Sequence, residues 1–134
     1  MLLPPQIPYP DKYDECRRRG SEEKQANARP EIKDKISNLD QYNNIIVGYP
    51  IWHGDLPMIM YTFFESNNFD GKNIYPFVTH EGSGIAHTDE KIQNTVPNAK
   101  VADGLEVRGI KAQALEKTTK AKISTWLDLN KLIK

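Results

Sequence analysis

Three short runs rich in β-branched and aromatic residues alternate with runs of helical periodicity, and this alternation restricts the chain more than any other feature. The strand runs are Asn44-Ile-Ile-Val-Gly48, Asn73-Ile-Tyr-Pro-Phe-Val-Thr79 and Val101 to Val107. The first is a continuous apolar run between turn formers, the pattern of a strand buried on both faces, as in a parallel sheet. Asp11 is a suitable N-cap for a helix from Lys12 to Ala28, in which Tyr13, Cys16 and Arg17 lie one turn apart, and Pro30 ends that run. Leu56, Met60, Phe63 and Phe64 recur at helical spacing between Leu56 and Ser66, with Pro57 in the first turn. Thr88 to Asn94 predicts a short helix that Pro97-Asn98 breaks. Ala112 to Leu132 predicts a long amphipathic one carrying Ile123, Trp126, Leu127 and Leu129. The order α, β, α, β, α, β, α implies right-handed crossovers and a doubly wound parallel α/β sheet.

The rest of the chain is punctuation. Prolines at 4, 5, 8 and 10 make residues 1–10 an extended lead-in, since proline lacks the amide donor and fixes φ. Residues 32–39 do not declare a state, and a helical turn over Asn38 to Tyr42 delivers the chain to the first strand run. A length of 134 residues suits one domain, 1–134, with no repeats. Lysine and arginine number 18, aspartate and glutamate also 18, so no long-range field gathers nucleic acid or anionic lipid. No apolar stretch approaches the roughly 20 residues of a membrane span, and the N-terminus lacks the parts of a signal peptide, so a cytoplasmic location is expected. The single cysteine, Cys16, forms neither an internal disulfide nor a metal cluster and reads as a small, partly buried helix residue.

In open α/β sheets, ligands bind beyond the carboxyl ends of the strands. The loops Tyr49 to Asp55 and Thr79 to Thr88 are therefore where chemistry is expected. The first contains Gly48-Tyr-Pro-Ile-Trp-His-Gly54 and the second Thr79-His-Glu-Gly-Ser-Gly84. Neither supplies a metal-ligand spacing, and Gly82-Ser-Gly84 lacks the strand-to-helix elbow of a hydrolase nucleophile. The run Arg17-Arg18-Arg19 reads as a solvated helix face.

These two loops, about thirty residues apart, resemble the flavodoxin-like family, and specifically its small bacterial flavoproteins, whose pattern is G-x-P-I-W-W-G followed by T-x-G-G-S-G. The likeness extends to Tyr9-Pro10, Tyr13, Glu15-Cys16, Ala28-Arg29-Pro30, Thr62-Phe-Phe-Glu65, Phe69-Asp-Gly-Lys72 and Gly104-Leu105. The resemblance implies an FMN cofactor whose ring packs against Pro50, Ile51, Trp52, His53 and Gly54. Thr79, Glu81, Gly82, Ser83 and Gly84 would lie toward its pyrimidine edge. Such residues position the ring while the flavin does the redox chemistry, and no catalytic acid or nucleophile is implied. His53 stands where the family commonly has tryptophan and Glu81 where it commonly has glycine, and both changes make the ring's surroundings more polar. Trp52 also fits a core or interface aromatic, and Ser83 a plain turn serine.

The family's fold begins with a strand and a phosphate-binding loop at a helix N-terminus, and no segment here matches them. In flavodoxin the strand order is 2-1-3-4-5 with FMN at the switch point between strands 1 and 3, so the expected fold is a truncated flavodoxin-like sheet lacking the first strand and helix. Its absence would expose Ile45 to Gly48 as a sheet edge and predicts a homodimer through that edge. The alternative is that the missing half belongs to the native protein. The implied function is FMN-dependent electron transfer, as a carrier with a redox partner or as a small NAD(P)H oxidoreductase acting on quinone-like acceptors. The competing expectation is a cofactor-free remnant serving as a self-associating or interaction module.

Overall fold

The computed structural model describes residues 5–109 and 117–132. In chain order the elements are α1 (Tyr13–Gln25), a 3-10 turn (Leu39–Gln41), β1 (Asn44–Pro50), α2 (Met58–Glu65), β2 (Asn73–His80) and α3 (Thr88–Thr95). β3 (Lys100–Val101), β4 (Leu105–Arg108) and α4 (Lys117–Leu129) complete them. All strand pairings are parallel. β1 runs along one side of β2, and β3 and β4 lie in succession along the other.

Ile45, Val47 and Tyr49 of β1 share a face with Ile74, Pro76 and Val78 of β2, and α2 and α3 close over that face. Phe63, Phe64 and Phe69 meet there edge-on or tilted, with ring centroids 5.3 to 5.4 Å apart, a spacing that adds electrostatic complementarity to burial. On the opposite face α4 brings Trp126 against Tyr75 and donates its indole N–H to the Asp103 carbonyl, 3.1 Å away. Helices thus stand on both faces, as the strand and helix alternation predicts. Lys72 is buried and donates to the carbonyls of Tyr42 (2.6 Å) and Leu39 (3.4 Å), so its cation terminates the 3-10 turn just before β1.

Several expectations are corrected. β1 is not buried on both faces: Ile46 is 54% exposed, and among the described residues α4 packs on β4 and on Tyr75 of β2. β1 also continues through Tyr49 to Pro50, which the sequence reading places in the loop. The third strand run divides into β3 and β4 at Ala102 to Gly104, where a side chain at Gly104 would run into the end of Ile85 and press tightly on Pro76. α1 starts at Tyr13 with Lys12 rather than Asp11 as N-cap, and stops at Gln25. There Asn27 takes a left-handed φ of 48°, Ala28 N–H bonds Glu23 C=O and Asn27 N–H bonds Lys24 C=O, a Schellman ending that halts the helix before Ala28. Trp126 is half-buried and Leu129 is 78% exposed, so α4 rests on the sheet by a narrow stripe. The part of that expected helix before residue 117 lies outside the described residues, as do residues 1–4 of the lead-in. Pro5 forms an isolated antiparallel bridge to Ile32, with Gln6 N–H donating to Glu31 C=O at 2.7 Å, and the chain bends at Gln6 and Ile7. Among the described residues no helix is long and apolar enough to cross a membrane.

Phe64 is 2% exposed at the centre of the aromatic cluster. Phe64→Ala should cost about 3–5 kcal/mol of stability, measurable as a lowered urea midpoint.

Candidate functional site at the carboxyl ends of β1 and β2

The parallel register ends with Pro50 beside Thr79, and Ile51 N–H continues the ladder to the Thr79 carbonyl at 3.3 Å. The two loops therefore leave the sheet side by side. The first closes at once: Trp52 N–H donates to Asp55 C=O (2.9 Å) and Asp55 N–H to Trp52 C=O (3.1 Å). His53 and Gly54 between them have φ of 53° and 74°, the two left-handed residues of a type I′ turn. The Asp55 carboxylate accepts Leu56 N–H (2.7 Å) and the Tyr61 hydroxyl (2.8 Å), and lies 3.3 Å from the Lys91 ammonium of α3. Burial, and secondarily that hydrogen bond, push the Tyr61 pKa well above the phenol range.

α1 supports the turn from outside. Its Gly20 faces the rings of Trp52 and His53, where a Cβ would come to 3.6 and 3.5 Å of them. Tyr9 meets Trp52 edge-on at 5.1 Å. His53 places Nε2 3.1 Å from the Arg17 carbonyl, and the Lys24 ammonium donates to the His53 carbonyl. The His53 imidazole is thus engaged by α1.

The second loop is gathered around His80, the last residue of β2. Its Nδ1 accepts the amides of both Gly82 (3.0 Å) and Gly84 (3.1 Å), whose φ values are 139° and 66°. At the loop's far end the Glu106 carboxylate of β4 accepts Ile85 N–H at 2.7 Å. Glu81 folds over Gly109, just past β4, and Ser83 Oγ reaches only the Gly84 carbonyl, at 3.3 Å. Thr88 then anchors α3 to the sheet, its Oγ1 lying 2.8 Å from the Tyr49 hydroxyl and 2.7 Å from the Ile85 carbonyl.

Of the ten residues expected at the site, Pro50 and Thr79 form the last paired rung of β1 and β2, and the other eight lie on the two neighbouring loops. Around Gly54 and Gly82 there is open space where a Cβ would sit, so bare backbone is presented there, beside the half-buried Ile51 and Trp52. Backbone without side chains and apolar surface together suit a flat ligand. The Gly82 and Gly84 amides, implied by the resemblance to face a ligand, are spent on His80 instead. Four contributors were not among the site residues expected from sequence: Tyr9, Asp55, His80 and Glu106. Asp55 was legible as the residue closing a His-Gly turn and His80 as a polar residue beside a glycine-rich loop, whereas Tyr9 and Glu106 arrive from distant segments. Among the described residues no three His, Cys, Asp or Glu side chains converge to hold a metal ion.

The family model described as Flavodoxin matches residues 2–129. Among solved structures, a protein of Bacteroides eggerthii named as a flavoprotein is 30% identical with a TM-score of 0.77, over 95% of this chain and 77% of that one. One of Bacteroides uniformis, similarly named, is 30% identical with a TM-score of 0.71, over 80% and 71%. A flavoprotein of Lactobacillus acidophilus in complex with FMN shares the fold at 18% identity and a TM-score of 0.62, over 84% and 74%. No curated protein matches the chain.

Burial pushes the Tyr49 hydroxyl up from 10.0 to about 12, helped by the charges of Asp89 and Asp55 and opposed by its bond to Thr88. The folded protein keeps this proton at pH values where the unfolded chain has lost it. The contribution to stability is thus full below about pH 10 and is lost as the pH rises toward about 12. Urea midpoints should fall across that window, and Tyr49→Phe should make the fall shallower.

Proposed function

The chain belongs to the flavodoxin family, and from that premise we propose that it binds a flavin, in the first place FMN, at the loops 50–54 and 79–84 and serves in electron transfer. The observation that carries this reading is the Pro50 and Thr79 register, which sets an apolar, open-backbone turn beside a glycine-rich loop. Ile51 and Trp52 would hold one side of the ring, and the backbone at Gly54 and Gly82 would admit its close approach. The bound flavin would supply one- and two-electron chemistry, and the FMN held by the Lactobacillus relative supports the choice of cofactor. A formal charge of zero favours an oxidoreductase acting on small quinone-like acceptors with NAD(P)H over an acidic carrier steered to basic partners.

Titration of the purified protein with FMN and with riboflavin, followed by flavin fluorescence, tests this. Saturable quenching is expected, with affinity about tenfold or more weaker in Trp52→Ala. Failure of both flavins to bind would sink the proposal and leave the interaction-module reading.

Self-association belongs to the same proposal. No residue from Asn44 to Pro50 is charged, Ile46 and Tyr42 are 54% and 53% exposed, and the outer edge of β1 pairs with no other described strand. Natural edges are commonly guarded by charge or proline, and here the only guard is Pro50 at the strand's end. Two copies of β1 in antiparallel order about Val47 would set each Ile46 opposite a Gly48, which has no side chain to obstruct it. Light scattering should then give twice the 15.3 kDa chain mass, and Ile46→Lys should give one. A wild-type monomer at 100 µM, the order of a weak dimer's dissociation constant, would contradict the pairing.

A further inference from the structure

We infer that His80 is a positioning residue: its Nδ1 holds the 81–84 loop in the shape that receives the ligand, so that the shape depends on His80 remaining unprotonated at that nitrogen. The part concerning ligand rests on the flavin reading above, whereas the clamp itself does not.

The geometry gives Nδ1 two donors, Gly82 N–H at 3.0 Å and Gly84 N–H at 3.1 Å. A ring nitrogen that accepts carries no proton, so the neutral imidazole must hold its proton on Nε2. Its own backbone is fixed, because His80 pairs with Arg108 as the last position of the β2 and β4 ladder. Among the described residues the loop it gathers has little other support. Gly82 and Gly84 both occupy positive φ, glycine loses the most freedom on ordering, and Ser83 Oγ makes only a long contact to its neighbour. Two side-chain acceptors therefore hold the segment: an imidazole on its first half and the Glu106 carboxylate, through Ile85, on its second.

The two acceptors respond differently to acid. Imidazolium carries N–H on both nitrogens. Once protonated, Nδ1 would meet two amide donors with a third donor, and the first half of the loop has to let go while Glu106 keeps the second. The charged groups nearest His80 in the chain and across the ladder are Glu81, which follows it, Arg108, its partner on β4, and Glu106, which holds Ile85 N–H at the loop's far end. Asparagine can place Oδ1 near the position of Nδ1 and accept the same amides without titrating, which separates a positioning role from mere filling of space.

The test uses the full-length chain and has two readouts. In flavin-free, 15N-labelled protein taken from pH 8 to pH 5, the Gly82 and Gly84 amides should shift with one midpoint, shared with the His80 ring protons. In His80→Asn these amides should not titrate, and in His80→Ala they should exchange with solvent faster at every pH. Amides that ignore the His80 titration overturn the clamp, whether or not any flavin binds. With FMN as probe, the dissociation constant should rise about tenfold over the same pH range in the wild type, the worth of one or two amide hydrogen bonds. It should stay level in His80→Asn and be weak throughout in His80→Ala, with far-UV circular dichroism unchanged in all three. A titrating clamp with pH-independent FMN affinity overturns the link to the ligand. Absence of FMN binding at pH 8 counts against the flavin reading alone, because the amide titration still decides the clamp.

Discussion

Parallel pairing of β1 with β2 runs unbroken from Asn44 beside Asn73 to Pro50 beside Thr79, and the placement of both loops depends on its final rung. A parallel ladder brings the carboxyl ends of its strands to the same edge, so two segments far apart in sequence emerge as neighbours. The ladder in turn relies on its buried face. Val47, Ile74 and Val78 pack under α2 and α3, and the Phe63, Phe64 and Phe69 cluster locks α2 to the sheet. A shift of register by one residue would turn Val47 and Tyr49 outward and expose this core, so the core that stabilises the fold also specifies where the loops sit.

The loops themselves are shaped by different means. In the first, the backbone does most of the work: a type I′ turn closed by mutual hydrogen bonds, braced by Asp55 on one side and α1 on the other. In the second, side-chain acceptors substitute for a regular turn, with His80 and Glu106 holding amides that glycines alone would leave unordered. Titratable side chains brace both loops, but only in the second does one accept the loop's own glycine amides.

Much of this was legible in the sequence. β-branched runs bounded by turn formers marked β1 and β2, and the spacing of Leu56, Met60, Phe63 and Phe64 marked α2, because period and burial are local consequences of the same face. The position of the two candidate loops was legible because such loops follow the carboxyl ends of parallel strands. What sequence hid was set by distant partners. Ile46 looks as apolar as Ile45, yet Ile45 packs on the core while Ile46 is left 54% exposed on the other face. The division of the third strand run at Gly104 depends on the approach of Pro76 and Ile85, and the early stop of α1 on a Schellman ending at Asn27 that competes with continued helix. His80 was visible as a residue but not as a clamp, since hydrogen-bond direction is a property of the folded loop.

The most direct test of the account is to map which backbone amides respond when riboflavin or FMN is added to 15N-labelled protein. The account predicts that the largest shifts fall on Ile51 to Gly54 and on Glu81 to Gly84, with Val47 and Ile74 little changed. Shifts concentrated instead along the outer edge of β1, around Tyr42 and Ile46, or no shifts with either flavin, would contradict it.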